Sequence, residues 1–435
     1  MSQPRATKVL VIGYVWPEPR SSAAGGYVMQ LLGTFLQQGW DVTFSSPAGA
    51  GEHQEDLTAL GIREVPIELN NSSFDLFVSE LAPDIVLFEQ FMMEEQFGWR
   101  VEKQCPQALR VLGTQDLQSL RHARHQRLKD RLKASDDNND FSSLFAPALR
   151  EEFELMADTD LAKREIAALY RCDVNLMISE VEIELLVEQF KVPRNLLHWC
   201  PLMVDLPDAA PAQFENRAHF IHIGNFRHAP NWDAVLWLKT TIWPLIRAQL
   251  PAAQLHIYGA YTPPKATALH NAAQGFHVMN WAEDALQVMS AARVCLAPLR
   301  FGAGIKGKIV DAMLCGTPNV TTPMGAEAMH GEEPWPGAVT RTAEDFADQA
   351  AQLYSDKPRW LDAQAQGLSL LAERYRQSVH GEALIEKLVH SRQHLAQIRR
   401  DNFTGSMLRH HQHKSTQYMA QWIEAKNRNP SAAAD

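Results

Sequence analysis

The chain has 435 residues, enough for two ordinary domains with separate cores. Its 46% hydrophobic and 21% charged content suits a soluble globular protein. A net charge of −10 argues against broad nucleic-acid binding, which needs a basic surface to neutralise phosphates.

Five scattered cysteines, Cys105, Cys172, Cys200, Cys295 and Cys315, form no C-x-x-C pair. They suggest neither zinc nor a disulfide framework, and free thiols fit a reducing compartment. The opening "MSQPRATKVLVIGYVWPEP" has an apolar run too short for a signal segment and reads as a buried first strand. No stretch approaches the about 18–20 apolar residues that a spanning helix needs. The expectation is a cytoplasmic protein, with peripheral contact at the inner face of a membrane left open.

In chain order, "KVLVIGY" is a strand, residues 24–39 have helical spacing, and "DVTFSSP" is a strand again. "IREVPIEL", "DIVLFEQ" and "ALRVLGT" are further strands, with helical "FDLFVSELA" and "EEQFGWRVEKQCP" between them. Short apolar strands alternating with helices indicate a parallel sheet covered on both faces. Residues 117–170 read as mostly helical and charged, broken by "ASDDNNDFSS"; "VNLMIS" is a strand and "EVEIELLVEQF" a helix. Proline-rich 202–218 reads as a linker. The rhythm then restarts: strands "HFIHIGN", "QLHIYGA", "FHVMNW", "RVCLAPL" and "NVTTP", with helices at "NWDAVLWLKTTIWPLIRAQL", "DALQVMSAA" and "KIVDAMLCG". Residues 376–428 are helical in composition, and the last few residues read as frayed. The expected division is an α/β domain over 1–205, a second over 206–375, and a helical segment over 376–435 packing back toward the first. The carboxyl ends of two such doubly wound sheets would line one shared cleft.

"LRFGAGIKGKIVDAMLCGTPN" (299–319) matches two phosphate motifs at once. As G-x-G-x-x-G it sits late in the second domain, with Glu327 beyond its strand where a ribose-binding acid belongs. As G-x-x-x-x-G-K-[ST] it fails at Ile309, where a hydroxyl should reach magnesium. The physics common to both survives. A glycine turn opening a helix offers free N–H groups and the positive dipole end to an anion. Lys306 and Lys308 add charge there, and Asp311 lies one turn on. The plain alternative is a strand-to-helix turn with a solvated face.

The order and spacing of "HIGNFRHAPNWDAVLWL", "IWPLIRAQLPAAQLHIYG" and "HVMNWAEDALQVMSAARVCLAPLRFGAGIKGKIVDAMLCGTPNVTTPMGAEAM" resemble the donor-binding domain of GT-B glycosyltransferases of family 4, also called glycosyl transferases group 1. The likeness covers residues 220–329 and is weaker over 7–205, where "GYVWPEPRSSAAGGYVMQLLGTFLQQGWDVTF" looks like the family's Gly-Gly loop and first helix. It implies two Rossmann-like domains facing a cleft and retaining transfer of a hexosyl-type sugar from a nucleotide-diphosphate sugar, UDP- or GDP-linked, with no required cofactor or metal. The acceptor would be a glycan, a lipid-linked molecule or a protein. By the resemblance, Gly25 and Gly26 approach the diphosphate, and Asn225 and Arg227 fall where a phosphate-facing basic residue stands. Gly304, Lys306 and Lys308 contact phosphate, Asp311 holds the ribose, and Asn280 lies beside the base.

The chain also departs from the family pattern. The family's paired Glu, eight positions before Asp311, is Ala303, and its lysine in the first donor loop is replaced near Pro230 and Asn231. Gln115 precedes Asp116 where relatives carry His, and Gln cannot act as a base. Asp116 and Glu327 remain as candidate catalytic carboxylates, with Gln115, Arg121, Ser179 and Glu180 on the acceptor side. Lysines and an arginine stabilising the departing diphosphate, together with positioning, supply most of what transfer needs. A front-face route lets the leaving phosphate take the proton. A non-catalytic sugar-nucleotide-binding protein and a nucleotide-sugar epimerase are the alternatives.

Other features read more simply. "RHARHQRLKDRLK" (121–133) is a solvated basic helix or, more sharply, a patch for an anionic surface. "DTD" (158–160) is a helix start with Asp158 or Asp160 as N-cap. "RHHQH" (409–413) is a surface cluster, and "SEVE" (179–182) fits a capping box. Trp232, Trp237 and Trp243 are core.

Overall fold

The computed structural model describes residues 5–134, 141–145, 148–207, 210–410 and 414–428. All of "DDNND", the end of "RHHQH" and the last seven residues lie outside the described residues. Among the described residues, seven parallel strands form the first sheet. They are β1 (Lys8–Ile12), β2 (Asp41–Ser46), β3 (Arg63–Pro66), β4 (Ile85–Glu89), β5 (Leu109–Gln115), β6 (Val174–Met177) and β7 (Leu197–Trp199), in the order β3-β2-β1-β4-β5-β6-β7. The second sheet is also parallel. It comprises β8 (Ala218–Ile223), β9 (Leu255–Tyr258), β10 (Phe276–Asn280), β11 (Ala292–Ala297), β12 (Asn319–Thr321) and β13 (Gly337–Val339), in the order β10-β9-β8-β11-β12-β13. This is the doubly wound pair expected from the sequence.

Strand periodicity explains why these segments read as continuous apolar runs. In β1, Val9 and Val11 enter one buried cluster, while Leu10 and Ile12 enter another on the opposite face. Both faces are covered, so no polar alternation is required. β7 and β13, each three residues long, are not read from the sequence, whereas the equally short β12 is, as "NVTTP". The predicted helix at 231–250 is continuous but passes through one π-helical turn at Leu238–Ile242, just before Pro244. Proline has no N–H to give to the preceding turn, and a wider turn accommodates it. Trp237 and Trp243 are core, whereas Trp232 is only partly buried beneath Lys265.

Strand order reverses between β1 and β4 in the first sheet and between β8 and β11 in the second. Crevices open at the carboxyl ends of such points. The segments that follow these four strands are residues 13–22, Gln90, 224–228 and 298–306. All four meet at the cleft.

The chain crosses back after the second sheet. Val204 donates to the Tyr375 carbonyl (2.7 Å) and accepts from Gln377 (3.0 Å). The helices Gln377–Gln393 and Leu395–Asp401 then lie against the first sheet's side. Arg392 reaches Asp84 (2.8 Å), and Arg399 clasps Asp173 through two bonds (2.9 and 2.8 Å) while donating to the Ala108 carbonyl (2.7 Å). Burial pushes the Asp173 pKa up, but Arg110 and Arg399 hold it below the usual carboxylate range. No helix among the described residues is long and apolar enough to cross a membrane.

Removing one partner of a buried ion pair costs about 3–5 kcal/mol, because the other charge stays buried. Asp173 keeps Arg110, so Arg399→Ala is expected to lower unfolding free energy by about 3 kcal/mol. Urea titration checks this; a loss under about 0.5 kcal/mol would put the C-terminal helices outside the cooperative unit.

Candidate functional site

Three helix N-termini converge on the cleft. The helix Ala23–Gln37 starts after β1 with Ser22 as N-cap, accepting from the Gly25 amide (3.0 Å). The helix Ala229–Trp237 follows β8, and Gly307–Leu314 follows β11. A Cβ on Gly307 would lie 2.4 Å from the Cβ of Ala23, so two of these N-termini face each other almost in contact. The third is tied in by Asn225, whose Nδ2 donates to the Ser21 carbonyl (3.4 Å). Each terminus carries roughly half a positive charge from the aligned peptide dipoles. Gly25 is glycine because a Cβ there would sit 2.6 Å from the Glu18 backbone, whereas the space beside Gly26 is open.

The two lysines add full charges. Lys306 is buried, and its ammonium donates to the Gly304 carbonyl. Burial lowers its pKa, with Glu327 opposing. Lys308 donates to Asn231 Oδ1 (2.7 Å), and no carboxylate pairs with it among the described residues. Its enclosure at the cleft floor pulls its pKa down to about 8. Asp311 is half-buried with no hydrogen-bond partner for its carboxyl among the described residues, and desolvation raises it to about 7. Asn280 is exposed at the end of β10 in a left-handed conformation (φ 62°). Arg227 turns away from this group: its guanidinium lies 3.5 Å over the Tyr261 ring. Tyr261 in turn donates to Glu18 across the cleft (2.8 Å). His228, next to Arg227 in the chain, is exposed at the mouth, and desolvation by the surrounding protein, followed by Arg121, lowers its pKa to about 4.

The cleft is held shut by charges that reach from the first half of the chain onto the glycine-lysine loop. Arg124 donates to Glu327 through both terminal nitrogens (2.6 and 2.7 Å), to Glu152 (2.6 Å) and to the Gly302 carbonyl (2.8 Å). Two residues on, the Gly304 amide donates to Glu182 (2.6 Å), a fully buried carboxyl that also accepts from the Leu117 amide (3.3 Å). Burial and the neighbouring Asp116 push Glu182 up to about 8, against the pull of that amide. Gly304 has φ 62°, and a Cβ there would meet Ile178 at 2.9 Å and Asp116 at 3.0 Å. Ala303 packs into the apolar cluster of the first sheet with Phe88, Leu112 and Ile183. A glutamate at 303 would carry its charge into that cluster, which accounts physically for alanine there.

The remaining sequence candidates divide by what they touch. Asp116 is ion-paired with Arg121. Glu327 is kept ionised: burial raises its pKa, but Arg124 and Lys306 hold it below the usual range. Gln115 ends β5 at φ 61° and donates to Glu89. Ser179 caps the helix Glu180–Glu188. The box is only half formed, since Glu182 reaches across to Gly304 instead of back to its own helix start. Glu180 pairs with Arg374. Within "DTD", Thr159 is the N-cap, accepting from Ala162, rather than either aspartate. The basic helix, Gln118–Ala134, is neither wholly solvated nor a free patch, because Arg124 and Leu128 are buried. Sequence reading missed Arg124, Glu152, Glu182, His228 and Glu89; only Glu182 carried a signal, as the fourth residue of "SEVE". Among the described residues no group of three or more His, Cys, Asp or Glu is disposed to hold a metal ion.

Residues 217–356 match the family described as glycosyl transferases group 1. No curated protein sequence matches the chain significantly. Among solved structures, HepE of Anabaena, determined with UDP, is similar at 12% identity and TM-score 0.62, covering 88% of this chain and 100% of HepE. Sucrose-phosphate synthase of Thermosynechococcus elongatus matches at 14% identity and TM-score 0.60, over 89% of this chain and 99% of the synthase. S. aureus TarM, solved with fondaparinux, alpha-GlcNAc-glycerol and UDP, matches at 12% identity and TM-score 0.54. That match covers 72% of this chain but 58% of TarM, so this chain spans little more than half of TarM's length. The architecture is therefore GT-B, and the match to glycosyl transferases group 1 falls in its second domain, over residues 217–356.

Arg124→Met is expected to cost about 3–5 kcal/mol by stranding Glu152 and Glu327. Adding Glu327→Gln should recover part of this. A double-mutant cycle by urea unfolding checks the pair; a coupling energy near zero would show that the clamp does not act as a unit.

Proposed function

We propose that this GT-B glycosyltransferase moves a hexosyl-type sugar, with retention, from a nucleotide-diphosphate sugar to a glycan, lipid-linked or protein acceptor. A UDP-sugar is the favoured donor and a GDP-sugar the second choice; no metal or cofactor is required. The observation that carries the reading is the convergence at the paired switch points of three helix N-termini and two lysines, neither ion-paired with a carboxylate among the described residues. Such a concentration of positive potential suits a diphosphate. HepE and TarM, built on the same fold, were solved with UDP, and HepE also with UDP-glucose.

In this reading residues 1–205 form the acceptor side, 206–375 the donor side, and 376–435 the segment that packs back. Lys306, Lys308, Asn225 and the amides at Gly25, Gly26 and Gly304 hold the diphosphate. Asp311 accepts from the ribose hydroxyls, and Asn280 lies beside the base. As the bond to the anomeric carbon lengthens, negative charge grows on the departing phosphate, and fixed positive groups stabilise it most at that moment. The lysine charge replaces what a metal ion supplies elsewhere. Asp116 and Glu327, each already paired with an arginine, act through those arginines rather than by exchanging protons. Arg227, stacked on Tyr261, takes part only if it swings back into the cleft. The protein works in the cytoplasm, with peripheral contact at a membrane for a lipid-linked acceptor.

A non-catalytic binding protein is the second reading, favoured by Ala303 and Gln115, which stand where the family carries a Glu and a His. Slow release of free nucleotide from a sugar nucleotide supports the enzyme, and tight binding without turnover supports the second reading.

Replacing Lys306 and Lys308 together by alanine should abolish UDP binding in calorimetry; unchanged affinity would remove the loop from the site. Lys308 also sets a pH dependence. Its pKa of about 8 in the free protein means that binding an anion is favoured in the protonated form. UDP affinity should therefore fall as pH rises through about 8, and Lys308→Met should flatten that fall. A wild-type Kd constant between about pH 7 and 9 would contradict the assignment.

A further inference from the structure

The first sheet's switch point, between β1 and β4, holds a polar group that the phosphate site does not use. Glu89 ends β4 only 7% exposed. Its carboxyl accepts from Gln115 Nε2 and from the Tyr14 amide at the end of β1. Gln115 Oε1 accepts from Gln90 Nε2 (3.4 Å), and Gln90 Oε1 accepts from Gln118 Nε2 (3.0 Å). The carboxamides thus form a chain of donors that ends on one carboxylate.

Backbone strain accompanies this arrangement. Gln90 has φ 69° and ψ 151°, a region almost reserved for glycine, and Gln115 has φ 61°. Each costs of order 1–3 kcal/mol and is kept only where the surroundings over-determine it. Both strained residues point side chains into the same group. The group also abuts the donor loop, since a Cβ on Gly304 would lie 3.4 Å from the Gln115 carbonyl oxygen. It therefore sits beside the place where, in the reading above, the phosphate–sugar bond lies. Gln90, Gln115 and Gln118 are half-exposed, as are Tyr14 and Val15 or more so, which leaves the group open to the cleft.

We propose that Glu89, with Gln90, Gln115 and Gln118, forms the acceptor subsite, that the acceptor presents a sugar hydroxyl there, and that Glu89 takes that hydroxyl's proton. Carboxamides both donate and accept, as a polyhydroxylated ring requires, and no cationic or apolar side chain belongs to the hydrogen-bonded chain. The assignment rests on the donor reading above. In the transfer step, on the face of the sugar from which the phosphate departs, as retention requires, a lone pair of the hydroxyl oxygen forms the bond to the anomeric carbon. The bond from that carbon to the phosphate oxygen breaks, and its electron pair leaves on the nucleoside diphosphate. The hydroxyl proton passes to the Glu89 carboxylate. Burial raises Glu89 to about 7, which suits a proton acceptor working near neutrality. Gln115, adjacent to Asp116, is then an orienting residue for Glu89, and its inability to act as a base does not matter.

The test uses the full chain with whichever of UDP-glucose, UDP-N-acetylglucosamine and GDP-mannose it consumes fastest. Nucleotide release is followed with free glucose, N-acetylglucosamine and galactose as acceptors, and with water alone. Glu89→Gln should lower release at saturating donor by about 100-fold, the usual scale for general-base loss. Its Kd for the matching nucleoside diphosphate should stay within about twofold of wild type, a split that a merely structural role would not produce. Gln118→Leu should raise the sugar acceptor's KM about tenfold with kcat little changed, as expected for lost uniform binding. The proposal is overturned if Glu89→Gln keeps more than half of wild-type release, or if release and nucleotide binding fall together. Wild-type protein that binds and consumes none of the three donors overturns the donor reading, and this assignment with it. Active wild type with an active Glu89→Gln variant overturns this assignment alone.

Discussion

The arrangement of the cleft depends on one buried guanidinium. Arg124 comes from a helix of the first half and takes two carboxylates as partners, Glu152 from the first half and both oxygens of Glu327 from the second. A charge removed from water needs such full pairing, because its desolvation penalty otherwise exceeds any Coulombic gain. Through its bond to the Gly302 carbonyl, Arg124 also fixes the first glycine of the glycine-lysine loop. Glu182 fixes the second through the Gly304 amide. The loop's shape is therefore specified by the opposite half of the molecule as much as by its own sequence.

That dependence explains several residue choices together. Gly304 has no room for a side chain between Ile178 and Asp116, and Gly307 has none against Ala23. Ala303 must be small and apolar because it closes onto the first sheet's core. Glycines that look like a phosphate-binding signature thus serve a second purpose, the close approach of two domains. In the proposed function both purposes serve the same end, since helix N-termini can share one anion only when they nearly touch.

Left-handed backbone at non-glycine residues follows the same geometry. Gln90, Gln115 and Asn280 lie at the carboxyl ends of β4, β5 and β10, where the chain must turn sharply out of a parallel sheet into the cleft. A relaxed turn would carry their side chains elsewhere. Keeping glutamine and asparagine at such positions, instead of glycine, implies that the side chain is needed there.

The sequence by itself determined the alternation of strands and helices, the two doubly wound halves, and the glycine turn and helix start of residues 302–308. These are local properties: hydrophobic period, turn glycines and charge at a helix start are all readable within a short window. It missed the three-residue strands β7 and β13, and the π-helical turn before Pro244, which leaves the apolar spacing almost unchanged. Only the tertiary structure decided which charges meet. Arg124 and Glu327 are 203 positions apart, and Glu182 and Gly304 are 122 apart. Nothing near Arg124 marks it among the basic residues around it, because its neighbours on the helix are not its partners in the fold. The same holds for Glu89, whose environment comes from the ends of three strands that the chain visits far apart. A pattern of residue types can announce that a site exists, but burial and pairing, which give each side chain its charge state, arise only when distant segments pack.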